Sequence, residues 1–179
     1  MFTRTESRSP ILIQSSLAFM IGGAGDGLMQ FVDGNEEYDF ARSFRLAAFR
    51  GLMFAPAYSL WLRHLGRRVT SERCGGKMKA VAAKVFLDQT VWAVPSLATG
   101  FVLLSLMEGN ALEKSVRRSR EVIWPCIKMN WAVWPAVQLV TFSVVPAHLR
   151  IPFVSLVQVV WGAVISNLNE TAKHAVSDE

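Results

Sequence analysis

The sequence predicts an all-α protein, a polytopic membrane bundle of four to five helices, and two observations support that prediction. Long stretches of the chain carry no Asp, Glu, Lys, Arg or His, at residues 9–25, 89–107, 129–147 and 151–169. Each stretch is close to the roughly 17–25 residues that a helix needs to cross a bilayer. The third stretch also contains Pro135 and Gln138, which membrane helices tolerate because neighbouring helices satisfy the freed polar groups.

The composition agrees with a membrane protein. Hydrophobic residues make up 51% of the 179 residues and charged residues 18%, whereas about 25% of the residues in a typical soluble domain are charged. The apolar stretches and the short loops between them account for the whole chain. We therefore expect one integral membrane domain, residues 1–179, with no separate soluble domain.

Basic residues give the chain a net charge of +5, and they collect between the apolar stretches in two clusters, Arg63–Lys84 and Lys114–Lys128. Basic clusters beside a membrane span favour anionic lipid headgroups, and a protein partner at the same clusters is the alternative. A nucleic-acid interface would place base-stacking aromatics among basic residues on one face, so no nucleic-acid partner is expected. The lipid bilayer is the expected partner, and homo-oligomerisation is left open.

The first two helices are predicted near residues 10–32 and 40–65. In the first, Gly23 and Gly27 stand four residues apart, so they share a face on which another helix can approach closely. In the second, Asp39 at the first turn suits the positive end of the helix dipole. These signals predict that the first helix packs closely against a neighbour.

The third helix is predicted near residues 79–107, with a kink at Pro95. Residues 108–110 (Glu-Gly-Asn) end it, and the mixture of charged and apolar residues over 111–124 predicts a helix that lies along the interface. Two further helices are predicted near residues 130–146 and 151–168. Whether the last one crosses the membrane or packs as a buried or re-entrant segment is left open.

Polar side chains inside or beside the apolar stretches are the candidates for function, since a charge at mid-bilayer costs about 2.5–3.5 kcal/mol. The pore-lining or intramembrane polar candidates are Asp26, Gln30, Arg42, Arg45, Arg50, Asp88, Gln89 and Gln138. Two interpretations remain open for them: they line an aqueous path, or they form hydrogen bonds across helices and hold the bundle together. The available partners for the two acids are Arg42, Arg45, Arg50 and Lys84.

A second set of residues is expected to shape the helices. These structural or hinge candidates are Gly23, Gly27, Trp134, Pro135, Pro146 and Arg150. Pro135 removes the hydrogen bond to the Trp131 carbonyl, so it bends its helix, and the bend is either a hinge or static. For Trp134, aromatic anchoring or core packing is favoured over gating of a pore.

Enzyme and metal signatures are not found in the sequence. The histidines His64, His148 and His174 are scattered and form no His-Glu-x-x-His pattern. Cys74 and Cys126 are too far apart for a metal knuckle and are interpreted as free thiols. We therefore expect no catalytic site, no metal and no cofactor.

Spaced motifs along the chain add a further signal. They are Gly25-Asp26-x-x-x-Gln30, Asp39-x-x-Arg42-x-x-Arg45, Gly51 with Pro56 and Trp61, Leu87-Asp88-Gln89 with Pro95, and Trp134-Pro135-x-x-Gln138-x-x-x-Phe142-x-x-Val145-Pro146-x-x-x-Arg150. In order and spacing these motifs resemble the Mpv17/PMP22 family, which includes the twenty-two-kilodalton peroxisomal membrane protein. The resemblance covers the chain from about Pro10 to Leu168, and the Trp-Pro-x-x-Gln block is its most specific part.

The resemblance implies a small four-span helical protein of the mitochondrial inner membrane, with the peroxisomal membrane as the alternative. It also implies weakly selective pore formation and contributions to metabolite balance, reactive-oxygen handling and mitochondrial DNA maintenance. The chain departs from the family pattern at Ala55, Leu62 and Thr141, where Gly, Tyr and Asn are usual. Because of these departures, no substrate is transferred from the family.

Two functions follow as hypotheses. In the first, the protein is a channel in which Asp26, Asp88 and the buried amides line a polar path. In the second, it is a non-conducting scaffold or assembly factor that acts through the two basic clusters. Removal of the acids should alter only the first activity, and neutralisation of the basic clusters should alter only the second.

Overall fold

The computed structural model describes residues 11–32 and 37–162, and all the regular structure in these ranges is helical. In chain order the helices are α1 (Ile11–Val32), α2 (Phe40–Ala48), α3 (Ala55–Arg68), α4 (Ser71–Cys74), α5 (Lys77–Leu87), α6 (Ala93–Met107), α7 (Leu112–Ser143) and α8 (residues 150–162). The predicted all-α class is confirmed for the described residues.

The helices group into two compact units. Of the described residues, the first contains 11–32, 37–68 and 140–159, and the second contains 69–139 and 160–162. Apolar stretches reveal which segments are helical and not which helices pack together, so the single integral membrane domain stays a prediction. Helix α7 belongs to the second unit up to residue 139, and its last residues belong to the first.

Two π-helical turns join consecutive α-helices. Phe49–Phe54 connects α2 to α3, and Asp88–Trp92 connects α5 to α6. Each turn comes shortly before a proline, Pro56 or Pro95. A proline lacks the N–H of the regular ladder, and its ring clashes with the carbonyl four residues earlier, so the preceding turn widens instead of the helix breaking. The predicted kink at Pro95 therefore takes the form of a π turn, a feature that occurs frequently at functional sites.

Helix α7 differs most from the sequence prediction. An interfacial helix over 111–124 and a separate helix over 130–146 were expected, whereas Leu112–Ser143 is one continuous helix that contains Pro125 and Pro135. Because Pro125 has no N–H, the Glu121 carbonyl does not receive its usual helical hydrogen bond. Both residues are exposed on the surface of the unit. The carbonyl without its usual donor is not enclosed in the core, so the helix continues.

The other bounds lie within a few residues of the predicted ones. The helix predicted near 40–65 extends to Arg68 and the one predicted near 79–107 begins at Lys77. After α7, a short 3₁₀ turn at Ala147–Leu149 leads into α8. The helix predicted over 151–168 begins at residue 150, and its part beyond residue 162 lies outside the described residues.

Two helices in the described ranges are long and apolar enough to cross a membrane by length and composition. They are Ile11–Phe31, with a mean hydropathy of 1.3, and Lys77–Met107, with a mean hydropathy of 1.7. The first lies in the first unit and the second lies in the second unit. Large apolar side chains such as Phe31 and Phe86 are exposed on these helices, as expected for surfaces that face lipid.

In the first unit, α1 approaches the π turn closely at Gly51. A Cβ atom at this position would lie 2.6 Å from Phe19 Cβ and 2.9 Å from the Ser15 carbonyl oxygen, so only glycine fits. At Gly23, a Cβ would lie 3.5 Å from Ala47 Cβ, which is an ordinary contact. The two positions therefore differ in how strictly they require glycine.

We expect Gly51→Ala to destabilise the protein by about 1–3 kcal/mol, because the methyl group would force backbone apart. The control is Gly23→Ala, which should be neutral or slightly stabilising, since alanine favours helix by about 1 kcal/mol over glycine. Thermal unfolding in detergent measures both changes. Equal melting temperatures for the two variants would contradict this account of the α1 contact.

Candidate functional site

The first unit contains a buried ion pair between α1 and α2. Asp26 on α1 is only 5% exposed, and its Oδ1 lies 3.0 Å from Arg42 Nε on α2. The Arg42 side chain is 32% exposed, so the arginine joins a buried carboxylate to a more accessible surface. Of the partners that the sequence offered for Asp26, the structure pairs it with Arg42.

The second carboxylate oxygen of Asp26 accepts two neutral hydrogen bonds. Ser43 Oγ donates to Oδ2 at 2.7 Å, and Gln30 Nε2 donates to it at 2.8 Å. Because the only hydroxyl proton of Ser43 is used here, Tyr38 is the donor in its 2.7 Å contact with Ser43 Oγ. These three donors replace part of the hydration that burial removes from the carboxylate.

Gln30 also links this cluster to the start of α2. Its Oε1 accepts the Asp39 backbone N–H at 2.7 Å, and its Nε2 lies 3.0 Å from the Asp39 carbonyl. The Asp39 side chain caps α2 by accepting the Arg42 N–H at 2.8 Å. Arg45 lies outside this cluster, with its Nη2 3.8 Å from Oδ2 of the exposed Asp39 side chain. We call Asp26, Gln30, Tyr38, Asp39, Arg42 and Ser43 the Asp26 network.

Arg50 lies apart from this network. Its Nη2 donates at 3.0 Å to the Gln158 carbonyl of α8, and its Cδ passes close to Gly22. Among the described residues it forms no ion pair within 4.0 Å, whereas Asp26 is paired with Arg42. A backbone carbonyl satisfies a guanidinium donor equally well, and no sequence motif marks such an acceptor.

The remaining structural candidates of the first unit support its packing. Gly27 lies against the Tyr38 ring, where a Cβ would be 3.1 Å from the hydroxyl oxygen. Pro146 precedes the short turn that leads into α8. Arg150 Nε donates to the Val145 carbonyl at 3.2 Å, and its guanidinium lies 5.6 Å from the Phe142 ring centre. Arg150 therefore helps to fix the chain reversal after α7.

The second unit contains a polar cluster at its π turn. Asp88 and Gln89 are 2% and 6% exposed. Gln89 Oε1 accepts from Asn130 Nδ2 of α7 at 2.8 Å, and the Gln89 carbonyl lies 3.3 Å from Trp131 Nε1. Gln89 Nε2 donates to Asp88 Oδ2 at 3.3 Å. The π turn thus presents a carboxylate, an amide and a backbone carbonyl toward the buried side of the unit.

The Trp134–Gln138 block of α7 continues this buried side. Trp134 is 7% exposed and packs edge-on against Trp161, with 6.0 Å between ring centres. Gln138, one turn later, is 2% exposed. Pro135 points to an open apolar groove of about 610 Å³ between α5 and α7, with Phe86 and Leu139 also in its wall. Trp134 thus packs inside the second unit, and its role as an anchor, a packing residue or a gate stays a prediction.

Several polar contacts were missed by the sequence analysis. Ser43 and Tyr38 complete the Asp26 network, and Ser115 Oγ lies 2.9 Å from Ser105 Oγ between α6 and α7. Isolated serines carry no pattern that distinguishes a buried partner from an exposed one. The one available signal was the spacing of Ser43, four residues after Asp39 and hence on the same helical face.

Metal chemistry finds no support in the described ranges, where no three His, Cys, Asp or Glu residues come together as a metal site. The described polar clusters are instead built from carboxylate, amide, hydroxyl and guanidinium groups. Such groups bind each other, water or polar solutes.

Comparison with known proteins decides the family. The Mpv17 / PMP22 family model matches residues 105–166. Protein SYM1 of Kluyveromyces lactis is 30% identical over 171 residues, which cover 94% of this chain and 87% of the relative. The chain belongs to the Mpv17 / PMP22 family. Protein sym1 of Aspergillus oryzae is 32% identical, over 93% of this chain and 95% of the relative.

A third relative of this Mpv17 / PMP22 family member bears on its location. The Caenorhabditis briggsae protein called mitochondrial inner membrane protein Mpv17 is 28% identical over 170 residues, covering 95% of this chain and 92% of the relative. The expected location in the mitochondrial inner membrane is confirmed by these relatives. No solved structure matches the chain.

We expect Asp26→Asn to destabilise the protein by about 1–3 kcal/mol, because Arg42 loses the charge that compensates it and one strong acceptor is lost. Asp39→Asn is the matched control. It should cost less than about 0.5 kcal/mol, since asparagine caps helices as well as aspartate and the exposed Arg45 pair contributes little. Unfolding in detergent gives both values, and a larger effect at Asp39 would refute the assignment of Asp26 as the central charge.

A double-mutant cycle tests the cross-helix amide bond of the second unit. Gln89→Ala and Asn130→Ala should be coupled by about 0.6 kcal/mol, the average for side-chain hydrogen bonds in membrane proteins. The pair Thr99→Ala and Asn130→Ala is the control, since Thr99 is exposed on α6 and makes no described contact with α7. Additive effects of Gln89→Ala and Asn130→Ala would show that the bond is absent.

Proposed function

We propose that the protein is a weakly selective channel for small polar solutes in the mitochondrial inner membrane. The single observation that supports this most strongly is the burial of one acid in each unit, Asp26 at 5% and Asp88 at 2% exposure. Asp26 lies on one of the two helices that are apolar enough to cross a membrane, and Asp88 lies on the other. Ionisable groups at such positions are costly and usually mark ion or solute pathways.

The surroundings of the two acids favour passage of a solute over tight binding of a ligand. Each acid has an amide beside it, Gln30 or Gln89, that both donates and accepts. Amide and carboxylate groups can exchange hydrogen bonds with a passing solute, and conduction requires binding that is favourable but weak. The π turn at Asp88 leaves backbone groups less regularly bonded, which favours adjustment at this point.

The proposed activity accounts for the wider family roles as consequences. A path for small metabolites in the inner membrane would contribute to metabolite balance, and through it to reactive-oxygen handling and mitochondrial DNA maintenance. These downstream roles are proposals that rest on the channel. They involve no direct contact with nucleic acid.

The rival proposal is a non-conducting scaffold that uses the basic clusters. The specific observation in its favour is the exposed end of α3, where Arg63, Arg67 and Arg68 lie on the surface. Such a cluster attracts anionic lipid or an acidic partner by about 1 kcal/mol for each basic residue near the membrane. This property is compatible with a channel, so the decisive experiment must measure conduction.

Purified protein in planar bilayers should show discrete conductance, and Asp88→Asn should change its cation-to-anion preference by removing a buried charge. Glu72→Gln, a change at an exposed position of α4, serves as the control and should leave conductance unchanged. Absence of conductance in the correctly folded wild-type protein would reject the channel. Binding of anionic vesicles that is lost in the triple variant Arg63→Gln, Arg67→Gln and Arg68→Gln would then support the scaffold.

A further inference from the structure

Helix α6 and the π turn before it run beside α7 in the opposite direction, and three hydrogen bonds fix their alignment. Asn130 Nδ2 donates to Gln89 Oε1 at 2.8 Å, Ser119 Oγ donates to the Ala98 carbonyl at 3.2 Å, and Ser115 Oγ lies 2.9 Å from Ser105 Oγ. The bonds are spread over the length from residue 89 to residue 105, about 24 Å along a helix. The segment 89–107 therefore lies level with the segment 112–130.

These two neighbouring segments have opposite character. Residues 89–107 contain no charged residue, whereas residues 112–130 contain seven. The seven are Glu113, Lys114, Arg117, Arg118, Arg120, Glu121 and Lys128. Residues 131–139 of α7, which carry no charge, instead lie beside residues 82–90, which include Lys84 and Asp88. The apolar segments of the two helices are staggered and do not lie side by side.

The charges on α7 occupy its exposed side. Glu113, Arg117, Arg120 and Glu121 follow a spacing of four, three and one residues, so they lie on one helical face. All four are exposed, as is Lys114 beside them, while Ser115, Ser119 and Cys126 form the buried side. Arg118 differs, because its Nη1 is paired with Glu108 Oε2 at 2.9 Å. We call Glu113, Lys114, Arg117, Arg120 and Glu121 the charged face of α7.

The depth of the charged face follows from its neighbour. The segment 89–107 belongs to the helix with the higher mean hydropathy of the two that could cross a membrane. Its length of about 28 Å matches a hydrocarbon layer of about 30 Å. Near residue 89, the end of this pair of segments carries Trp124 and Trp131, and Lys128 Nζ lies 5.6 Å from the Trp124 ring centre. Tryptophan beside a basic residue is typical of a membrane interface.

A charged face at this depth cannot face lipid tails. Glu113 and Lys114 lie near the α6–α7 turn and can extend toward the headgroups. Arg120 and Glu121 are level with Ala98 and Thr99, near the middle of the apolar segment. Side chains in the middle of the hydrocarbon face the protein interior or water, because exposure to lipid is too costly.

We propose that the charged face of α7 lines water inside the bilayer and forms one wall of the solute path. The assignment of this water as a conduit rests on the proposed channel function. Lys114, Arg117 and Arg120 outnumber Glu113 and Glu121 on this face, and basic side chains in a pore favour anions. Small organic or inorganic anions are therefore the class of solute that this wall accepts most readily.

The test measures water access without measuring conduction. Single cysteines are placed at Arg120 and at Thr99, which is exposed on α6 at the same level, in a Cys74→Ser background reconstituted into vesicles. Cys126, which is 0% exposed, is kept, and the labelling of the Cys74→Ser protein without an added cysteine is subtracted as background. A charged, membrane-impermeant thiol reagent should modify Arg120→Cys at least tenfold faster than Thr99→Cys, and a lipid-soluble maleimide should modify both.

Ala111→Cys, at the turn before α7, is the control for bulk water and should react fast with the charged reagent. Arg117→Cys is a second probe of the charged face in case Arg120→Cys does not fold. If the charged reagent modifies both Arg120→Cys and Thr99→Cys fast, the end of the α6–α7 pair projects into bulk water, and the proposal is overturned. Slow modification of Arg117→Cys and Arg120→Cys by the charged reagent in folded protein would overturn it as well.

The same variants separate this inference from the channel hypothesis. If the charged face is labelled and the protein shows no conductance, the water-lined wall stands and the channel does not. If the protein conducts, Arg117→Gln with Arg120→Gln should lower the anion-to-cation permeability ratio at least twofold. An unchanged ratio in that variant would remove the charged face from the conducting path.

Discussion

The structure depends on the rule that a charge removed from water must find its replacement partners within the protein. Asp26 meets this requirement with one guanidinium, one hydroxyl and one amide. These three donors come from two helices, so the helices cannot slide or rotate past each other without leaving a buried carboxylate unsatisfied. The strongest geometric restraint between α1 and α2 is therefore electrostatic, and the close contacts at glycine positions add to it.

Prolines and polar groups act together in the long helices. In both π turns a proline prevents regular hydrogen bonding, and an ionisable residue, Arg50 or Asp88, lies in the widened turn. A widened turn offers carbonyl groups and side chains that a regular helix would keep occupied. The same local irregularity thus explains the shape of the helix and the position of its polar residues.

Much of the fold could be predicted because hydrocarbon imposes simple conditions on sequence. The charge-free stretches located the helices, and the short list of basic residues near Asp26 included Arg42, its partner. Ser43 and Gln158 could not be identified, because a single serine or a backbone carbonyl has no sequence pattern. The effect of Pro125 was also beyond prediction, since it depends on whether the carbonyl that loses its bond is enclosed.

The π turn at Asp88–Trp92 has a further consequence for tolerance to insertion and deletion. A π turn holds about one residue more than an α turn, and successive α-helical residues are separated by about 100° around the axis. Loss of one residue within 88–92 would restore regular winding, because the turn would then hold the usual number of residues, and every later side chain of α6 would keep its angular position. Ser105 would still meet Ser115. Loss of one residue from the regular part of α6 before Ser105 would instead rotate Ser105 by about 100° and separate this pair. The segment 88–92 is therefore the part of this helix in which a change of one residue in length is absorbed locally.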